Sequence, residues 1–113
     1  MENRKKILFV CSANQQRSPT AEALYKDDPR FAVKSAGVSR YARTPVSSEL
    51  LEWADIAAVM EKRHVRIIRE QFPREALNVT FILLGIPDVY EYMDPALKQE
   101  LREKFEKELQ QKL

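Results

Sequence analysis

The sequence predicts an α/β three-layer sandwich, with a central four-stranded parallel sheet in the order 2-1-3-4 and helices on both faces. Three observations point there. Short apolar runs alternate with helical patterns four times along the chain. Those runs are continuous rather than alternating, as strands buried on both faces are. The length, 113 residues, suits one such domain over 1–113 and leaves no room for a separate recognition module.

The elements follow in order. Ile7 to Val10 is a short, fully buried strand. Ser18 is placed to cap a helix, with Pro19 at its first position, where no N–H is needed. "TAEALYK" continues that helix. "FAVKSAG" is a second strand ending near Gly37, and "VSRYARTP" is a loop. "VSSELLEWA" is a short amphipathic helix capped by Ser47 or Ser48, with Trp53 half buried against the sheet. "DIAAVM" is a third strand. "EKRHVRIIREQF" is a basic helix with Val65, Ile68 and Phe72 on one face. "VTFILL" is a fourth strand, and "GIPDVYEYMDP" is a loop rich in turn formers and aromatics. Ala96 to Leu113 is a last helix, with Leu97, Leu101, Phe105 and Leu109 as its buried stripe. Asp94 before Pro95 reads as its cap, and Glu100/Lys104 and Glu103/Lys107 as pairs on its outer face.

Composition narrows the function. There are 19 Lys+Arg against 17 Asp+Glu, a net charge of +2. That helps an anionic substrate approach but does not suit a nucleic-acid binder. No apolar run is long enough to span a bilayer. The start, "MENRKKILFVCSAN", is basic and then apolar like a leader, but its apolar part is only Ile7 to Cys11, so a first strand and a cytoplasmic protein are expected. The only glycines are 37 and 85, so a glycine-rich nucleotide loop is excluded. The single cysteine excludes an internal disulfide and a thiol relay within the chain.

In such folds ligands sit beyond the carboxyl ends of the strands. The loop from the first strand into the first helix lies there, and it holds Cys11 and Arg17. A tight loop entering a helix points backbone N–H groups inward, and with the helix terminus makes a cradle for a tetrahedral anion. Ser12, Ala13, Asn14, Gln15, Gln16, Arg17 and Ser18 would line it. The same field stabilises a thiolate at Cys11. Arg17 can hold two phosphate oxygens at once. This arranges in-line attack on phosphorus, with donors that strengthen as charge develops. Ser18 can stabilise the thiolate as it leaves, and Asn14 can tie the loop together. A cysteine merely packed at a strand end would be the bland alternative.

The string "VCSANQQRSPTAE" resembles the C-x5-R-S-P loop of the low-molecular-weight protein tyrosine phosphatase family, and the resemblance runs over nearly the whole chain. It implies Cys11 as nucleophile, Arg17 as phosphate binder, Ser18 as the thiolate's partner and Asn14 as loop brace. "SAG" matches the family's second strand end, which implies that Ser35 bonds Asn14. A cysteine nucleophile needs no metal, and no cofactor is expected. Three departures stand out. Ala13 replaces a usual glycine, Gln16 occupies the place of a frequent second cysteine, and the chain is shorter than is usual, which would open the substrate cleft.

The leaving oxygen needs a proton donor. Asp88 is the candidate, since Asp88-Val89-Tyr90 matches the first and third members of the family's Asp-Pro-Tyr triplet. Asp94 is the second choice, and Asp27 and Asp28 belong at the far end of the sheet. Tyr90, Tyr92 and Tyr41 are candidate cleft walls, and Arg40 or Arg43 could meet acidic substrate residues. His64, without neighbours at metal-ligand spacing, reads as a surface or packing residue, and Lys62, Arg63, Arg66 and Arg69 as a solvated face.

The expected function is a cysteine-dependent phosphatase that hydrolyses phosphotyrosine or a similar ester through a phosphocysteine. Its expected partner is that phosphorylated substrate, with no nucleic acid or membrane involved and the oligomeric state open. Two alternatives stand beside it: a phosphatase or phosphodiesterase for a small non-protein phosphate such as a nucleotide, and an arsenate reductase using an external thiol.

Overall fold

Residues 3–112 are described by the computed structural model, in which strands and helices alternate. The order is β1 (Lys5–Cys11), α1 (Arg17–Tyr25), β2 (Phe31–Gly37), α2 (Ser48–Trp53), β3 (Ile56–Val59), α3 (Lys62–Gln71), α4 (Pro73–Ala76), β4 (Thr80–Leu83) and α5 (Pro95–Lys112). Leu113, the expected end of the last helix, lies outside the described residues. The strands form one parallel sheet in the order β2-β1-β3-β4, as the sequence predicts.

The sheet separates two cores, and alternation along β1 shows how. Ile7, Phe9 and Cys11 face α1 and α5, whose Ala21, Tyr25, Leu97, Leu101, Phe105 and Leu109 pack there. Leu8 and Val10 face the other way, toward Leu51 of α2, Ile68 of α3 and Ala76 of α4. An aromatic knot seals the first core, with the Phe105 ring 5.1 Å from Phe9 and 5.0 Å from Tyr25 in edge contacts. Each such ring contributes roughly 2–3 kcal/mol by burial.

Three local readings change. β1 is longer than Ile7 to Val10, because all seven residues from Lys5↔Phe31 to Cys11↔Gly37 find partners in β2. The helix α4 is added, a single turn entered by Pro73. Ser18 is not the cap of α1. The helix starts at Arg17, with Gln16 as the cap residue and no side-chain cap bond. Pro19 is therefore third in the helix, still within the turn whose N–H groups have no helical acceptor, so it costs no bond. The expected Ser47 cap does form, accepting from Leu50 N–H at 3.2 Å. Asp94 caps α5, accepting from Ala96 N–H at 2.8 Å.

The topology places the loop after β1. The chain leaves β1 for β2 on one side and later adds β3 on the other. A crevice opens where the direction reverses, at the strand ends. The loop 85–94 after β4 reaches the same end and is pinned to α1, with Met93 N–H donating to Thr20 Oγ1 at 2.9 Å. Gly85 starts it at φ +66°, a conformation that favours glycine. Among the described residues, no helix is long and apolar enough to cross a membrane.

Candidate active site

The cradle is shaped by bonds on its outer side. The carbonyls of Cys11, Ser12 and Ala13 accept from the N–H groups of Val38, Ser39 and Arg43 at 3.0, 3.0 and 3.1 Å. With those three carbonyls held outward, Asn14 N–H is turned to the inside, toward Cys11 Sγ. The stretch after β2 reads in the sequence only as a loop, but it is the cradle's splint. Gly37 permits the close approach. A Cβ there would stand 2.6 Å from the Ser12 carbonyl oxygen and 2.9 Å from the Asn14 nitrogen.

The sulfur of Cys11 is buried and ringed by donors. Asn14 N–H points at it from 3.2 Å, and Ser18 Oγ lies 3.0 Å away. Asn14 adopts φ 55°, which asparagine tolerates better than most residues. Its amide donates to Ser18 Oγ at 2.8 Å and to Ser35 Oγ at 3.0 Å. Ser35 in turn donates to Glu22 Oε1. The directions are fixed by chemistry: Glu22 accepts, and the amide nitrogen can only donate. Ser18 Oγ therefore accepts a hydrogen bond from Asn14 and turns its own hydrogen toward Ala36 O (3.2 Å) or the sulfur. Glu22 thus ends the chain of bonds behind the loop, a contact the sequence does not announce.

Arg17 is 1% exposed, the largest of the fully buried side chains. Its Nη1 donates to Glu61 Oε2 at 2.6 Å and to the Ile86 carbonyl at 2.8 Å, which uses both Nη1 hydrogens. The Nε–Nη2 edge is directed elsewhere, with Ser12 Oγ 3.5 Å from Nη2 and Asp88 Oδ1 3.8 Å from Nε. That edge is the fork that two oxyanion oxygens require. Burial alone would raise the pKa of Glu61, but hydrogen bonds from Arg17 and Arg63 outweigh it and hold the carboxyl at about 2. Glu61, ionised at neutral pH, thus keeps a buried cation in place.

His64 is fully buried. Packing was expected of it, but a contact with the cradle was not. Its Nδ1 accepts from Glu61 N–H at 3.1 Å and its Nε2 lies 3.0 Å from Ser12 Oγ. Burial pushes its pKa down to about 4, the carboxylate of Glu61 opposing that only in part. Arg63 is not simply part of a solvated face: it reaches back to Ser12 Oγ at 2.7 Å and to Glu61 Oε1 at 3.2 Å. The string "MEKRH" therefore serves the site through three of its members.

The remaining candidates are placed as follows. Asp88 is 58% exposed, with its Oδ1 3.8 Å from Arg17 Nε. Gln15 is exposed, and Gln16 turns its carbonyl to Thr20. Tyr41 is 79% exposed and lies under the Arg40 guanidinium. Tyr90 packs against the first core and donates to Glu100 at 2.6 Å. Neither tyrosine bonds a cradle residue among the described residues. Asp28 pairs with Arg30 and lies at the end of α1, at the far end of the sheet. Among the described residues, no cluster of metal-ligating side chains is found.

No family model matches the chain. The chain is 33% identical over 95 residues to a protein-arginine-phosphatase of Bacillus subtilis, covering 60% of this chain and 63% of that one. It is 32% identical over 102 residues to the protein-arginine-phosphatase of Geobacillus stearothermophilus, covering 69% and 68%. It is 36% identical over 89 residues to the low molecular weight protein-tyrosine-phosphatase PtpB of Staphylococcus aureus, covering 59% and 64%. The chain belongs to the low-molecular-weight protein tyrosine phosphatase family. The solved structure of the YwlE arginine phosphatase from Geobacillus stearothermophilus superposes with a TM-score of 0.67 at 26% identity, over 96% of this chain and 94% of that one. The chain thus spans about two thirds of the length of the curated relatives it matches.

One departure from the family pattern is answered by the backbone. Among the described residues other than glycine, positive φ falls only on Asn14 and Met93. Ala13 therefore does not need a glycine's freedom, and its methyl group is accommodated.

Proposed function

We propose that this chain is a cysteine-dependent phosphatase acting on a phosphorylated protein side chain through a phosphocysteine intermediate. The observation that carries this is a buried sulfur ringed by Asn14 N–H and Ser18 Oγ, with the Arg17 fork beside the same loop. Cys11 attacks phosphorus while the loop N–H groups and the Nε–Nη2 edge of Arg17 hold the three non-bridging oxygens. The bond from phosphorus to the leaving atom breaks, and Asp88 gives that atom its proton. Asp88 then takes a proton from water, whose oxygen attacks phosphorus. The sulfur departs as thiolate, stabilised by Ser18. The protein would work in a reducing compartment such as the cytoplasm, where a lone thiol survives.

The mouth also bears on the substrate. Ser12, Gln15, Asp88 and Arg63 are polar, and Tyr41 and Tyr90 take partners elsewhere. An aryl ester gains most from an aromatic slot. A guanidine leaving group gains from a carboxylate at the mouth, so phosphoarginine is favoured over phosphotyrosine. The similarity to protein-arginine-phosphatases agrees with this. The arsenate reductase reading lacks a second thiol. The test is kcat/KM for phosphoarginine, phosphotyrosine and phosphoserine peptides and for a nucleotide, each beside Cys11→Ser. Phosphoarginine should lead, and Cys11→Ser should be inactive on all. Turnover undiminished in Cys11→Ser would refute the mechanism.

A further inference from the structure

Ser12 Oγ has three neighbours within hydrogen-bonding distance: Arg63 Nη2 at 2.7 Å, His64 Nε2 at 3.0 Å and Arg17 Nη2 at 3.5 Å. A guanidinium only donates. The imidazole is decided by its other nitrogen. Nδ1 accepts the Glu61 N–H at 3.1 Å and so carries no proton, which leaves the ring proton on Nε2. All three neighbours can therefore only donate toward the oxygen. The two short bonds fill its lone pairs, and none of the three can accept its hydrogen. Among the described residues, no acceptor for that hydrogen is found.

We propose that the Ser12 hydroxyl is a built-in donor to the bound oxyanion, aimed and polarised by Arg63 and His64. This rests on the cradle reading above. Ser12 Oγ lies on the Nη2 side of Arg17, the side not taken by Glu61 and Ile86, so its proton joins the same set of donors. Two N–H donors on its oxygen, one of them cationic, strengthen its own O–H donation. Ser12 is then a catalytic residue in contact with the phosphoryl group, whereas Arg63 and His64 are positioning residues that act through it. The motif S12 with R63-H64 would give this chain one more side-chain donor than an apolar residue after the nucleophile allows.

The test is calorimetric titration of inorganic phosphate into the Cys11→Ser protein, with thermal melting as a fold check. Adding Ser12→Ala should weaken phosphate binding about tenfold, the loss of one hydrogen bond to a charged partner. Ser12→Thr should restore most of it, because the hydroxyl returns. Arg63→Ala should weaken binding when Ser12 is present and have no further effect when Ser12 is alanine. Equal phosphate affinity for Ser12→Ala and its parent, at equal melting temperature, would overturn the inference. So would independent, additive losses from Arg63→Ala and Ser12→Ala, which would place Arg63 on the anion itself. No phosphate binding by the Cys11→Ser protein at all would overturn the cradle, and this inference with it.

Discussion

The clamp on Arg17 allows the sharpest test by substitution. Glu61→Gln keeps the shape and removes the charge that faces a guanidinium only 1% exposed. In the native protein the carboxyl is held at about 2 instead of 4.5, against the opposing pull of burial, by Arg17 and Arg63. At 1.36 kcal/mol per pH unit that drop corresponds to roughly 3 kcal/mol. Glu61 is 30% exposed, so solvent screening reduces it to about 1–2 kcal/mol. Because the folded pKa lies below the unfolded one, this stability is complete above about 4.5 and is lost as pH falls toward 2. Urea melts should therefore show Glu61→Gln less stable than wild type at neutral pH, by about 1–2 kcal/mol, with the gap narrowing below pH 4.5. Activity should fall too. A charge-assisted hydrogen bond contributes about 1.5–3 kcal/mol, and the amide recovers part of it, so kcat/KM should drop about tenfold. Unchanged kcat/KM, with a stability gap that does not depend on pH, would refute the clamp.

Other expectations follow from the same geometry. Gly37→Ala puts a Cβ 2.6 Å from Ser12 O, so the cradle must shift; a loss of about 1–3 kcal/mol by overpacking and a more than tenfold loss of kcat are expected, read by thermal melts and steady-state rates. His64 is the only histidine, buried with its pKa lowered to about 4. The unfolded chain takes up that proton first, so stability present above 6.5 should be lost as pH falls toward 4, and His64→Gln should flatten that slope in pH-dependent denaturation. Asp88→Asn should slow cleavage about 10²-fold and remove one limb of the pH–rate profile. Asp94→Asn should leave that limb intact, since Asp94 caps α5.

The sequence carried the architecture because the relevant forces are local or periodic. Continuous apolar runs mark buried strands, and the Leu97–Leu101–Phe105–Leu109 stripe fixes the face of α5. The loop was legible as well, since C-x5-R-S joins a strand to a helix and Asn14 and Ser35 meet as the resemblance implied. What stayed hidden depends on long-range juxtaposition. Glu61 is 44 residues from Arg17, and nothing in "MEKRH" says that its acid turns inward while its lysine does not. Ser18 looked like a cap because serine before proline usually is one, but the sulfur and Asn14 claim its hydroxyl. The splint from residues 38 to 43 was invisible because it works through backbone groups, which every residue carries.

The central claim is that phosphorus passes through the sulfur of Cys11. Rapid quenching of the wild-type protein during turnover of a phosphoarginine peptide, followed by digestion and mass spectrometry, tests it directly. The account predicts a phosphorylated peptide carrying the modification on Cys11, accumulating before product release and absent from Cys11→Ser. Undiminished turnover with no phosphocysteine trapped, or with the phosphoryl group on another side chain, would contradict it.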